Sequence, residues 1–125
     1  MTDDRYERGM GVRREVLGDA HVDAATVAAG DLTREFQDLI TLYAWGEIWA
    51  RPGLDRRTRS LVTIAALIAL DRERELELHL RSARRNGVAW DEIKEVILQS
   101  AVYCGVPAAN DAFALAQQVM DEERE

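Results

Sequence analysis

Apolar residues recur at helical spacing along nearly the whole chain. Residues 3–17 set Tyr6, Met10, Val12, Val16 and Leu17 among charges, which predicts a short amphipathic helix stopped at Gly18. A polar turn from Gly18 to Asp23, with His21 inside it, leads to an alanine-rich stretch ending at Gly30, and Asp23 is the expected cap of a brief second helix. Asp31 is the expected N-cap of a third helix, whose stripe is Leu32, Phe36, Leu39, Ile40 and Tyr43. Trp45 to Gly53 breaks that regularity, because the residue before Pro52 avoids helical geometry and Gly53 favours a turn. An aromatic connecting loop is the expectation there.

Asp55 caps the next predicted helix, Arg56 to Leu70, which is almost continuously apolar from Leu61. A helix apolar on all sides must be buried on all sides, so it reads as a central helix or an oligomer interface. Asp71 to Asn86 follows with Asp71 as N-cap, Gly87 as left-handed C-cap, and Leu76, Leu80 and Ala83 toward the core. Trp90 to Tyr103 buries Ile93, Val96, Ile97 and Ala101, and Asp91 and Glu92 favour its N-terminus. Residues 104–107 end that helix and start another, because proline suits a first helical turn. Ala108 to Met120 closes the fold, and the acidic tail 121–125 is expected to fray. No alternating strand pattern occurs. The expected architecture is all-α, a single-domain bundle of about six or seven helices: a helical extension over 1–30 and a core over 31–120.

Length and charge narrow the function. A chain of 125 residues has room for one modest core, and 47% hydrophobic residues exclude a disordered class. A net charge of -7 repels polyanions and argues against a nucleic-acid partner. Cys104 is the single cysteine, so Cys-x-x-Cys chemistry and an intrachain disulfide are excluded, and a reducing cytoplasm is the expected compartment. No apolar run approaches the ~20 residues of a membrane span, and the charged N-terminus does not read as a signal peptide.

Candidate chemistry concentrates in residues 71–87. Glu75 and His79 stand four apart, on one face of the predicted helix, where a carboxylate would orient an imidazole and favour its protonated form. Arginine far outnumbers lysine, of which Lys94 is the single example, and the guanidinium fork suits carboxylates held by two parallel bonds. Trp45 and Trp49 either cover the core or wall a pocket.

Several strings resemble the 4-carboxymuconolactone decarboxylases: residues 44–54 (AWGEIWARPGL), 57–70 (RTRSLVTIAALIAL), 75–88 (ELELHLRSARRNGV), 92–110 (EIKEVILQSAVYCGVPAAN) and, earlier, 12–23 (VRREVLGDAHVD). Ala89 departs from a family position often held by a capping Thr or Ser. Within the wider alkylhydroperoxidase-D-like superfamily, the relatives' Cys-x-x-Cys-x-x-x-His motif would place its histidine on His79 and its cysteines on Arg72 and Glu75. With both thiols replaced, disulfide-based peroxide reduction is not available.

The resemblance implies loss of carbon dioxide from 4-carboxymuconolactone, giving the 3-oxoadipate enol-lactone in the protocatechuate branch of aromatic degradation. It also implies an all-α protomer assembled as a trimer or hexamer, with no metal or organic cofactor. Against that reaction, His79 is the expected proton donor and Glu75 its orienting carboxylate, with His21 as rival donor or second polar contact. Arg72 and Arg51 are the favoured clamps for a dicarboxylate lactone, and Arg59 is a third. Arg72 is placed on the Glu75–His79 face by its spacing. Trp45 and Trp49 would exclude water, and Glu47 between them is a further acid. Cys104 reads as a packing residue. The other readings are a non-catalytic oligomeric binding protein and, disfavoured by the single cysteine, a redox protein.

Overall fold

The computed structural model describes residues 4–125. Among them every regular element is helical: α1 (Asp4–Leu17), α2 (Asp19–Ala28), α3 (Arg34–Ile40), a π-helix (Thr41–Trp49), α4 (Arg56–Ala69), α5 (Glu73–Arg85), α6 (Trp90–Cys104) and α7 (Val106–Glu123). The all-α expectation holds. Asp3, the expected first residue of the first helix, lies outside the described residues. Backbone contacts divide the chain into two compact units, one ending at Arg56 and the other running from Arg57 to Glu125.

In the first unit, Val12, Val16, Leu17, Val22 and Trp45 are buried. Gly18 stops α1 as expected with φ 91°. The turn expected over residues 18–23 is instead helix, and His21 rides on α2. Glycine's left-handed backbone lets the chain restart at once, and Arg14 steadies the new helix through Asp19 (3.1 Å) and Asp23 (2.9 Å). Asp23 is thus an ion-pair partner inside α2, not its cap. The third helix also starts later than expected, with Thr33 rather than Asp31 at its N-cap. Its apolar stripe is not covered by this chain: Leu32, Phe36, Leu39 and Tyr43 are all exposed.

The break expected at Trp45 does not occur there. The helix continues to Trp49 in the wider π form, and the constraint from Pro52 takes effect only after Ala50. Gly9 and Gly46 allow this, since the backbones of α1 and the π-helix meet at these two glycines. A Cβ on Gly9 would stand 2.9 Å from the Gly46 nitrogen and 3.1 Å from its Cα.

The second unit is built on Ile64, Ile68, Leu76, Leu80, Ala83, Val88, Ile93, Ile97, Ala109, Ala112, Ala116 and Val119. In α4, Ser60, Ile64 and Ile68 are buried at four-residue spacing, whereas Val62 is 57% exposed. Within this unit α4 is thus not a central helix buried on every side: the unit supplies packing partners for one side, and the other stays open to solvent.

Asp71 also differs from expectation. Its φ is 57°, and the Asp71 N–H bonds Ile68 O (3.2 Å) while Arg72 N–H bonds Leu67 O (3.0 Å). This is the double bond of a Schellman ending, so Asp71 closes α4 rather than capping α5. Aspartate is among the few side chains that tolerate this backbone region. Gly87 closes α5 the same way at φ 89°, with Gly87 N–H on Arg84 O (3.2 Å) and Val88 N–H on Ala83 O (2.9 Å).

At Ala89 the missing capping side chain is partly replaced by Glu92, whose Oε1 accepts the Ala89 N–H at 3.0 Å. The tail does not fray where expected. Helix α7 runs to Glu123 because Glu122 takes Arg81 at 2.7 Å, while Glu123 takes Arg84 at 3.1 Å and the Trp90 indole N–H at 3.0 Å.

Candidate active site

Helix α5 carries Glu75 and His79 one turn apart on a single face. Leu76 and Leu80 anchor the adjoining face in the core, which fixes the rotation of the helix and leaves His79 half-buried and Glu75 exposed.

Helical spacing does not extend back to Arg72. It occupies the N-cap with φ -105° and ψ 76°, and only its carbonyl belongs to the helix, accepting the Leu76 N–H at 2.8 Å. The spacing argument assumed helical geometry back to residue 71, and the Schellman closure of α4 takes it away. Arg72 remains at the head of α5, exposed. Arg59 lies half-buried in the first half of α4, next to Ser60, whose hydroxyl accepts a hydrogen bond from Asn86 Nδ2 at 2.9 Å.

In the first unit, Trp45 and Trp49 form a tilted pair with ring centroids 5.2 Å apart and planes at 34°. Trp45 is buried and Trp49 half-buried, so one ring packs inside while the other reaches outward. Arg51 follows them, exposed, just beyond the end of the π-helix. Glu47, the further acid, accepts from Arg5 at 3.0 Å. His21 stands at the surface of α2, and partial desolvation, followed by the charge of Arg13, holds its imidazole below the ordinary value.

The pattern along the chain did not single out Arg13. It is 5% exposed and donates to Thr41 Oγ1 (3.3 Å) and Gln37 Oε1 (3.0 Å), and burial pulls its guanidinium below the ordinary value. Its one sequence signal is position, because residue 13 falls between Val12 and Val16 on the buried stripe of α1.

Two cavities of the second unit are lined by residues outside α5. One of about 180 Å³ is lined by Trp90, Lys94, Phe113 and Met120 among others, and another of about 320 Å³ by Leu61, Val62, Tyr103 and Cys104 among others. Cys104 is half-buried there, a free thiol. The carboxylates of Asp71, Glu73 and Asp111 cluster within 4.8 Å of one another, but all three are exposed acids with no neutral ligand among them.

Residues 34–118 match the carboxymuconolactone decarboxylase family. A 4-carboxymuconolactone decarboxylase of Acinetobacter baylyi is 51% identical over 118 residues, covering 94% of this chain and 88% of that protein. A nitrosuccinic acid decarboxylase of Metarhizium robertsii is 44% identical over 117 residues, covering 94% and 82%. A shorter Pseudomonas putida sequence, also a 4-carboxymuconolactone decarboxylase, is 54% identical over 43 residues, 34% of this chain and 90% of its own length. The match runs from α3 nearly to the end of α7 and includes every residue of α5, so the chain belongs to the carboxymuconolactone decarboxylase family.

Proposed function

We infer that this protein is a carboxy-lyase that converts 4-carboxymuconolactone to the 3-oxoadipate enol-lactone. The observation that carries this is identity of 51% across 94% of the chain with a decarboxylase of that substrate. In the substrate, the carboxylate to be lost sits on the ring carbon beside the lactone oxygen, and a ring double bond connects that carbon to the lactone carbonyl. As the carbon–carboxylate bond breaks, its electron pair forms a new ring double bond, and the old one moves its pair onto the carbon next to the carbonyl and the carbonyl oxygen. A proton then adds to that carbon. The electron sink belongs to the substrate, so the protein's tasks are to hold the remaining carboxylate, stabilise the charge on the carbonyl oxygen and deliver one proton.

His79 is assigned the proton delivery, with Glu75 one turn before it as its orienting carboxylate. The support is their shared face on α5, whose rotation the buried Leu76 and Leu80 fix. Arg59 and Arg72 are assigned as carboxylate and oxyanion partners in the same unit. In the first unit, Arg51 is assigned as a carboxylate clamp, Trp45 and Trp49 as the aromatics that bind the substrate and exclude water, and His21 as the alternative donor. Glu47 is the least favoured acid, since Arg5 already occupies its carboxylate.

The same logic extends to a second substrate. The Metarhizium relative is a nitrosuccinic acid decarboxylase, and a nitro group beside a carboxylate is likewise a built-in electron sink. The two substrates therefore separate by turnover. Freshly generated 4-carboxymuconolactone should release carbon dioxide well above its uncatalysed rate, and the lactone should be preferred over nitrosuccinate. Well-folded protein giving no release from the lactone refutes the reading, and release from nitrosuccinate alone replaces it with the second. His79→Ala should cost roughly 10²–10⁴ in kcat with the helices intact. Near-normal turnover in that variant would transfer the donor role to His21.

The reading includes a homo-oligomer, trimer or hexamer. Large apolar side chains stay uncovered on α3 (Phe36, Leu39), on α4 (Val62) and around the α6–α7 junction (Val102, Tyr103, Val106), and these are the surfaces that assembly would bury. The reading also places the protein in the cytoplasm, which a free Cys104 suits. No helix among the described residues is long and apolar enough to cross a membrane.

A further inference from the structure

Helix α1 precedes the residues that match the family, yet it follows the π-helix along its whole length. Arg5 donates to Glu47 at 3.0 Å, Arg8 Nε to Gly46 O at 3.3 Å, and Arg13 to Thr41 Oγ1 at 3.3 Å, while Gly9 meets the Thr41 and Gly46 backbones. These residues share one face of α1, and successive contacts step back from the end of the π-helix to its first residue. A π-helix is wider than an α-helix and is usually limited to a single turn, so nine residues of it call for support from outside.

Arg13 gives that support at a high cost. Among the described residues it is the one buried charged side chain, and its two hydrogen bonds go to uncharged side chains. Glu15 pairs with Arg56, Asp19 and Asp23 with Arg14, Asp31 with Arg34, and Glu47 with Arg5. Arg13 has only the neutral oxygens of Gln37 and Thr41, and its Nε is buried without a hydrogen bond. A buried cation on neutral partners is poor as a source of stability, but the two bonds hold two side chains of the neighbouring helical segment. Those side chains belong to the last turn of α3 and the first residue of the π-helix, where Thr41 Oγ1 also donates to Gln37 O at 2.8 Å.

We propose that α1 is a splint for the π-helix and that Arg13 is its positioning residue, setting at Thr41 where α gives way to π and hence which way Trp45 and Trp49 face. Each residue is about 100° of rotation around a helix, so losing the widened turn would swing both rings off their present face. The consequence for turnover rests on the reading above, in which this aromatic pair serves the decarboxylation.

The test uses a Trp90→Phe background, which leaves the pair as the only tryptophans. Rings 5.2 Å apart at 34° couple, giving an exciton couplet in circular dichroism that is independent of any reaction. Arg13→Met should abolish the couplet, keep the helix content and raise KM by roughly tenfold with kcat within about threefold, as expected for lost binding geometry. Arg13→Lys, which keeps the charge but not the fork, should restore part of both. A folded Arg13→Met that keeps its couplet, or that loses turnover with the couplet intact, overturns the proposal. Should Arg13→Met fail to fold, Thr41→Val removes the hydroxyl alone: a weakened couplet supports the splint and an unchanged one overturns it. A couplet that responds to Arg13→Met in a protein with no lactone turnover upholds the splint and refutes the decarboxylase reading.

Discussion

Two glycines of α1 make a sharp test of the close seating between that helix and the π-helix. Neither Gly9 nor Gly11 has a positive φ, so alanine fits the backbone at both, and in a helix interior it is favoured over glycine by about 0.8–1.0 kcal/mol. A Cβ on Gly11 meets nothing within 4 Å. Gly11→Ala should therefore stabilise the protein by about 0.5–1 kcal/mol. A Cβ on Gly9 would lie 2.9 Å from Gly46 N and 3.1 Å from Gly46 Cα, and closer still to Thr41 O, all of them backbone atoms. Ordinary contacts lie at about 3.5–4.0 Å, and the approach to Thr41 O is the tightest of the three, so α1 must retreat by roughly 1–1.5 Å.

Overpacking of this kind costs about 1–3 kcal/mol. The retreat also stretches the Arg13–Thr41 bond, already 3.3 Å, past hydrogen-bonding range. A bond from a charged donor is worth about 1.5–3 kcal/mol. Set against the propensity gain, the net loss for Gly9→Ala is about 1.5–5 kcal/mol. Urea denaturation, followed by tryptophan fluorescence in the Trp90→Phe background, reads this on the unit that holds Trp45 and Trp49. Gly9→Ala should move the midpoint down and Gly11→Ala up. A Gly9→Ala protein as stable as Gly11→Ala would refute the close approach and the splint argument with it.

Three further outcomes follow from the helix ends and the titrating groups. Gly87→Ala places a Cβ at φ 89° in the Schellman closure of α5 and should cost about 1 kcal/mol in urea unfolding, with no loss of activity beyond that of stability. The hydrogen bond from Arg81 holds the Glu122 carboxyl below its ordinary value, so its contribution is present above about pH 4.3 and lost as the pH falls through the lowered value. Wild type should thus lose more stability than Arg81→Met between pH 6 and pH 3, and high salt should shrink the difference. His21 has the opposite chemistry: partial burial, and then Arg13, favour its neutral form, so stability is full above about pH 6.5 and declines as the pH drops through that value toward the lowered one. His21→Gln should flatten this part of the stability profile, and an unchanged slope would place the titration elsewhere.

The sequence by itself determined the helical class, the positions of most helices in the second unit, and the shared helix face of Glu75 and His79. These depend on local spacing, and the four-residue period survives any tertiary arrangement. It also marked Gly18 and Gly87 as stops, since a left-handed residue ends a helix through bonds to its own last turn. Tertiary structure decided the rest. Arg72 fell outside the helical spacing of α5 because Asp71 serves the helix before it, a choice between two caps that Asp71 alone does not reveal. The aromatic segment became a π-helix because α1 seats against it through Gly9 and Gly46, residues 37 positions apart in the chain. Arg13 came inside for the same reason: only the packed helices bring Gln37 and Thr41 to its fork, and a spacing pattern carries no record of a partner 24 or 28 residues away.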